Sequence, residues 1–145
     1  MPALINLLFL FAAASSLLFG ACGSNIEESV DTPISVLEQP AGAPISVAEL
    51  ADRIEAGSPP LVLDVRSRRE YAQGHIPGAI NIPHDELSSR RGELPGAKSE
   101  EIVVHCHSGK RAQLAEEMLR EIGFSNVRDL LGHWQEWQAA RLPVE

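Results

Sequence analysis

The residues best placed to do covalent chemistry in this chain are Cys106-His107-Ser108-Gly109-Lys110-Arg111. The β-branched run at 102–105 ahead of them reads as a buried strand, and the stretch from Ala112 onward as an amphipathic helix. The cysteine therefore stands at a strand-to-helix junction and faces the unpaired amides of a helix start, which together bind an anion. Gly109 lets the backbone curl so that successive N–H groups converge on one point. Lys110 and Arg111 add two positive charges in the same turn. Each feature favours thiolate over thiol, and the thiolate is the nucleophile. The same amides can hold an anionic substrate.

Two plainer roles for Cys106 compete with this one. A free cysteine is often a small buried hydrophobe, but such a residue has no need of Gly, Lys and Arg within five positions at a helix start. A metal site through His105, Cys106 and His107 is disfavoured because neighbours on an extended segment point in opposite directions, and no second ligand cluster exists. No metal or cofactor is expected. His105 reads as a strand-end residue supporting the loop, and His107 as part of the loop wall. The other cysteine, Cys22, closes an apolar run far upstream, so the two thiols have separate settings and a structural bridge is not expected.

Strands and helices must position that loop. Ser46-Val47-Ala48-Glu49 has the capping-box pattern, with Ser46 as N-cap and Glu49 reaching back to its amide. Leu50 and Ile54 continue a short helix, stopped by Gly57 and the Pro59–Pro60 pair. Residues 61–63 predict a buried strand ending at Asp64, residues 67–71 a helical turn, and residues 79–82 a second strand after turns at Gly74 and Pro77-Gly78. After the third strand at 102–105, Ala115, Met118, Leu119 and Ile122 fall at helical spacing. Glu116, Glu117, Arg120 and Glu121 lie mostly on the other face, and Gly123 supplies the stop. A fourth strand is expected at 127–130 and a last helix at 134–140. Strands alternating with helices predict an α/β fold with a parallel sheet covered on both faces, whose sites lie at the carboxyl ends of strands. Asp64 and Cys106 both sit at such ends.

Composition narrows the partners. The 44% hydrophobic and 22% charged content is that of a globular chain. The net charge is −8, and all twelve Lys and Arg residues lie from Arg53 onward. No basic run, zinc-finger spacing or aromatic-interleaved patch appears, so nucleic acid is not an expected partner. Residues 4–22 are almost wholly apolar and end in Phe19-Gly20-Ala21-Cys22. That ending resembles the lipobox of bacterial lipoproteins, with Phe19 where Leu is usual. It implies a signal peptide over residues 1–21 and lipidation of Cys22, with a cleaved secretory signal or an uncleaved anchor as alternatives. The acidic, Pro- and Gly-containing stretch 22–44 reads as a flexible tether to a domain at 45–145. The expected location is the bacterial cell envelope, lipid-anchored and facing the periplasm or the outside.

The cysteine segment resembles the Cys-x-x-Gly-x-Arg active-site loop of the rhodanese-like domain family. Upstream, Leu63-Asp64-Val65-Arg66, Glu70-Tyr71 and the segment from Gly74 to Pro83 are similar to that family's other signatures, in the same order. Downstream, Leu131-Gly132 and Trp137 resemble its closing Leu-x-Gly-Gly-x-x-x-Trp pattern, with His133 in place of the second Gly. The resemblance implies a five-stranded parallel sheet flanked by helices and a sulfurtransferase whose Cys106 becomes a persulfide. It implies a small anionic sulfur donor such as thiosulfate and a thiophilic acceptor such as cyanide or a thiol. His107, Ser108, Gly109, Lys110 and Arg111 would form the substrate-binding loop. Asp64 and Arg66 would brace it, and Glu70, His75 and Asn81 would fix turns. A cysteine phosphatase or arsenate reductase is a rival. By family analogy, phosphatases of this type place five residues between Cys and Arg, whereas four intervene here and Ala112 stands where that Arg would be. A rhodanese-like module that only carries or binds sulfur is the other alternative.

Overall fold

The computed structural model describes residues 42–145. The expected signal, Cys22 and nearly all of the tether lie outside the described residues. Ser46 caps the first helix, α1 (Val47–Glu55), and its hydroxyl accepts the Glu49 N–H at 3.1 Å. The other half of the expected capping box is not made, because the Glu49 carboxylate is directed to Arg128 at 3.5 Å. Strand β1 (Leu61–Asp64) leads to α2 (Arg68–Ala72), where Ser67 and Glu70 do form a complete box. Strand β2 (Ile80–Asn81) is shorter than its apolar run predicts, since the Ala79 N–H turns back to the Ile76 carbonyl. A short helix α3 (Leu87–Arg90) and a 3₁₀ turn (Arg91–Glu93) follow in a stretch where the sequence reading placed no element. Then come β3 (Ile102–His105), α4 (Lys110–Glu121), β4 (Val127–Asp129) and α5 (His133–Ala139).

The sheet is parallel with strand order β2-β1-β3-β4. Among the described residues it has four strands, not five. The place of the fifth is taken by a single parallel bridge between Ile45 and Leu130. Pro44 has no N–H to extend the pairing on one side, and Ser46 already serves α1 as its cap on the other. Alternation along the strands fills two cores. Leu63, Ile102, Val104 and Val127 pack with Ala112, Ala115 and Leu119 of α4. Val62 and Val103 pack on the opposite face with Leu50 of α1 and Trp134 and Trp137 of α5. Glu116 departs from the expected outer face of α4 and is buried. No helix among the described residues is long and apolar enough to cross a membrane.

Candidate active site

The register aligns Asp64 with His105, so the carboxyl ends of the two central strands finish level. One residue on, Cys106 enters the α4-side core and is 1% exposed. Gly109 then adopts a φ of 109°, which suits glycine alone, and caps α4. The curl brings its N–H to 3.0 Å from the Cys106 Sγ. The loop's carbonyls are held separately. Those of Cys106 and His107 accept the N–H groups of Trp134 and Gln135, in the first turn of α5, at 3.0 and 3.3 Å.

Arg111 makes a two-pronged ion pair with Glu70 at 2.7 and 2.8 Å. The Glu70 carboxylate chiefly, and the nearby Cys106 thiol more weakly, hold this guanidinium above its ordinary value. In return Arg111, and then Ser67, pull Glu70 far below the usual carboxylate range. Glu70 does more than the turn-fixing expected of it: one side chain completes the α2 cap and anchors the loop arginine. Lys110, Ser108 and Gly109 border a second hollow described below, while His107 lies exposed on the loop wall.

Asp64 and Arg66 form a buried pair, with Arg66 Nη2 to Asp64 Oδ2 at 2.6 Å. Arg66 also donates to the Gly74 carbonyl at 2.8 Å and lies over the Trp134 ring at 4.2 Å. Neither residue hydrogen-bonds the cysteine loop. Their path to it runs through Trp134, whose backbone N–H holds the Cys106 carbonyl. His105 is fully buried beside them, with Nδ1 3.4 Å from the Cys106 carbonyl and Nε2 3.7 Å from Asp64. Burial pushes its pKa down to about 4, against the pull of Asp64. Asn81 spans the Asp64 and Arg66 carbonyls at 2.9 Å each, and His75 stacks on Tyr71 at 3.7 Å, so both act as turn-fixing residues.

Two hollows flank the loop. One, of about 270 Å³, is lined by Arg66, Glu70, Gln73, Gly74, His107, Trp134 and Gln138. The other, of about 390 Å³, is bordered by Glu116, Asp129 and His133 as well as by the loop. Sequence reasoning missed the Glu116–Asp129–His133 group, because only the fold brings α4, β4 and the start of α5 together.

Fold and site together define an α/β domain with a thiol-centred anion loop at the end of a central strand. The chain belongs to the rhodanese-like domain family, whose model matches residues 46–140. It is 38% identical over 110 residues to the human thiosulfate:glutathione sulfurtransferase, a match covering 67% of this chain and 95% of that protein. It is 33% identical over 116 residues to the chloroplastic thiosulfate sulfurtransferase 16 of Arabidopsis thaliana, covering 70% and 91%. The crystal structure of the Alr3790 protein from Anabaena sp. superposes with a TM-score of 0.64 at 34% identity, covering 70% of this chain and 81% of that one. At the level of the family, this is a rhodanese-type sulfurtransferase.

Proposed function

We propose that Cys106 accepts sulfane sulfur from thiosulfate or a persulfide donor and passes it to a thiophilic acceptor. The Gly109 N–H directed at the Cys106 sulfur carries the reading. A donor aimed at sulfur stabilises negative charge there, both on the thiolate and on a persulfide bound to it. With thiosulfate, the Cys106 thiolate attacks the outer sulfur, the bond between the two thiosulfate sulfurs breaks, and sulfite leaves with its electron pair. The product is a Cys106 persulfide anion. Cyanide then attacks the terminal sulfur, regenerates the thiolate and departs as thiocyanate; a thiolate acceptor departs as its own persulfide. The human relative is named for transfer to glutathione, which supports a low-molecular-weight thiol as acceptor.

Arg111 and Lys110 attract the anionic donor, and Glu70 fixes the direction of Arg111. Ser108 and His107 form the rim, and Asp64 and Arg66 brace the loop through Trp134. The test is mass spectrometry of the domain after thiosulfate treatment. One added sulfur atom on Cys106, removed by cyanide with release of thiocyanate, is the expected result. An unmodified Cys106 would overturn it, and turnover of a phosphate ester exceeding sulfur transfer would favour the phosphatase rival. We also propose that Cys22 is lipidated and tethers the domain to the bacterial cell envelope, which rests on the apolar run ending at Gly20-Ala21-Cys22. Cys22→Ser should leave unlipidated precursor, and an intact, lipid-free N-terminus on the wild-type protein would refute the anchor.

A further inference from the structure

Gly132, just ahead of α5, and His133, its first residue, both take left-handed backbone, with φ of 75° and 52°. Glycine is at ease there; a histidine is strained, which directs attention to what its ring does. That ring is buried, with Nε2 3.6 Å from Asp129 Oδ1, and its Nδ1 has no hydrogen-bond partner among the described residues. The same edge of the ring rests on Gly109: a Cβ there would come within 2.8 Å of His133 Nε2. The Gly109 N–H is the group that contacts the Cys106 sulfur. A short mechanical path thus runs from the end of β4, through His133, to the reacting atom.

We propose that His133 is a positioning residue for the cysteine loop, its ring packed beside Asp129 and against Gly109 so that it sets the Gly109 N–H against the Cys106 sulfur. This rests on the reading of Cys106 as the reacting nucleophile. The titratable and charged groups around the ring are Asp129 from β4, Lys110, Glu116 and Arg120 from α4, and His105 from β3. Burial holds His133 below its ordinary value, with Glu116 pulling the other way. Burial and the neighbouring Asp129 push Glu116 up to about 7, and burial raises Asp129 as well. As pH rises through neutrality and Glu116 ionises, negative charge therefore develops in the hollow that the ring borders. A ring in contact with both Asp129 and Gly109 carries that change to the loop.

The test compares wild type with His133→Gly, which removes the ring and relieves the backbone. It also includes His133→Gln, which keeps polar reach but cannot titrate. Iodoacetamide alkylation of Cys106 is followed by peptide mass spectrometry from about pH 5 to pH 9, a span covering carboxyl, imidazole and thiol ionisation. Thiosulfate-to-cyanide kcat and KM are measured alongside. His133→Gly should slow alkylation and lower kcat by roughly 3- to 10-fold, the size expected when one neutral hydrogen bond is misaligned. Its KM and thermal midpoint should not worsen. His133→Gln should recover most of the rate and, because Glu116 and Asp129 remain, keep the step near neutrality that His133→Gly loses. Wild-type alkylation rates in His133→Gly at every pH would overturn the proposal, as would a His133→Gln variant no faster than His133→Gly. If the wild type transfers no sulfur at all, the proposed function fails, while alkylation still decides the role of His133.

Discussion

The two edges of the sheet both carry charged side chains and use them differently. At the amino edge, Glu101 receives Arg53 at 2.7 and 2.8 Å and Arg128 at 2.6 Å. Arg128 also donates to the backbone carbonyls of Ala43 and Pro44. Acid and base are matched, and Arg53 holds Glu101 below the usual carboxylate range. At the carboxyl edge, Glu116 and Asp129 are held together and both raised, His105 Nε2 and His133 Nδ1 are buried without hydrogen-bond partners among the described residues, and a thiol takes a backbone amide. One edge spends its charges on closing the fold, whereas the other keeps unsatisfied capacity beside the nucleophile. Both ends hold matched pairs, at the carboxyl end Asp64–Arg66 and Glu70–Arg111, but perturbed and unpaired groups collect only beside the nucleophile, and that marks the site.

Mutations should separate the edges. Cys106→Ser should abolish sulfur transfer in a thiosulfate-to-cyanide assay, because a serine hydroxyl cannot form a persulfide. Its stability should shift by less than about 1 kcal/mol, since the hydroxyl can accept the same Gly109 N–H. Residual transfer by the folded variant would break the assignment of chemistry to this edge. Glu101→Ala should do the reverse. It leaves the buried Arg128 without its closest carboxylate and should cost up to about 3–5 kcal/mol in denaturant unfolding, the range for breaking a buried pair. The folded variant should keep the wild-type KM for thiosulfate; a raised KM would mean that the amino edge is coupled to the site. Arg111→Ala should lower kcat/KM for thiosulfate by about 1.5–3 kcal/mol, the scale of a charge-assisted hydrogen bond. Unchanged kinetics would make Arg111 a partner of Glu70 only.

The carboxyl edge was legible in sequence where its geometry is local. Cys106, Gly109, Lys110 and Arg111 are consecutive enough for a strand-to-helix junction to be read around them, and β3 and α4 follow from their own periodicity. The partners that tune the loop are not local. Glu70 lies 41 residues before Arg111, and nothing in either segment points to the other. Trp134 meets Arg66 only once α5 has folded back over the sheet. Glu116 looked solvent-facing because acidic neighbours surround it in the sequence, yet it borders the buried stripe of Ala112, Ala115 and Leu119. The fifth strand was over-read because Pro44 and Ser46 limit Ile45 to one bridge. The helix at Leu87–Arg90 went unseen because four residues give no clear period.

The smallest expected effect tests the electrostatic contrast itself. Glu116 has a folded-state pKa near 7, above the roughly 4.3 of an unfolded chain. Between those values the folded protein holds a proton that the unfolded chain has released, so stability must fall as pH rises through that window. Arg120, 3.0 Å from Glu116, offsets part of the cost, and sharing with Asp129 divides the rest. Glu116→Gln cannot ionise; its amide can donate to Asp129 and accept from Arg120. It should therefore match wild type near pH 5 and be more stable by about 1 kcal/mol near pH 8. Glu101→Gln should show the opposite sign. Its carboxylate is depressed in the fold, so it stabilises above the unfolded pKa and loses that effect as pH falls. The variant should be destabilised near pH 8 and progressively less so in acid. Thermal unfolding of both variants at several pH values gives two difference curves. Curves of opposite slope sustain the contrast between the edges, and a flat curve for Glu116→Gln would show that burial and Asp129 do not hold a proton on this carboxyl.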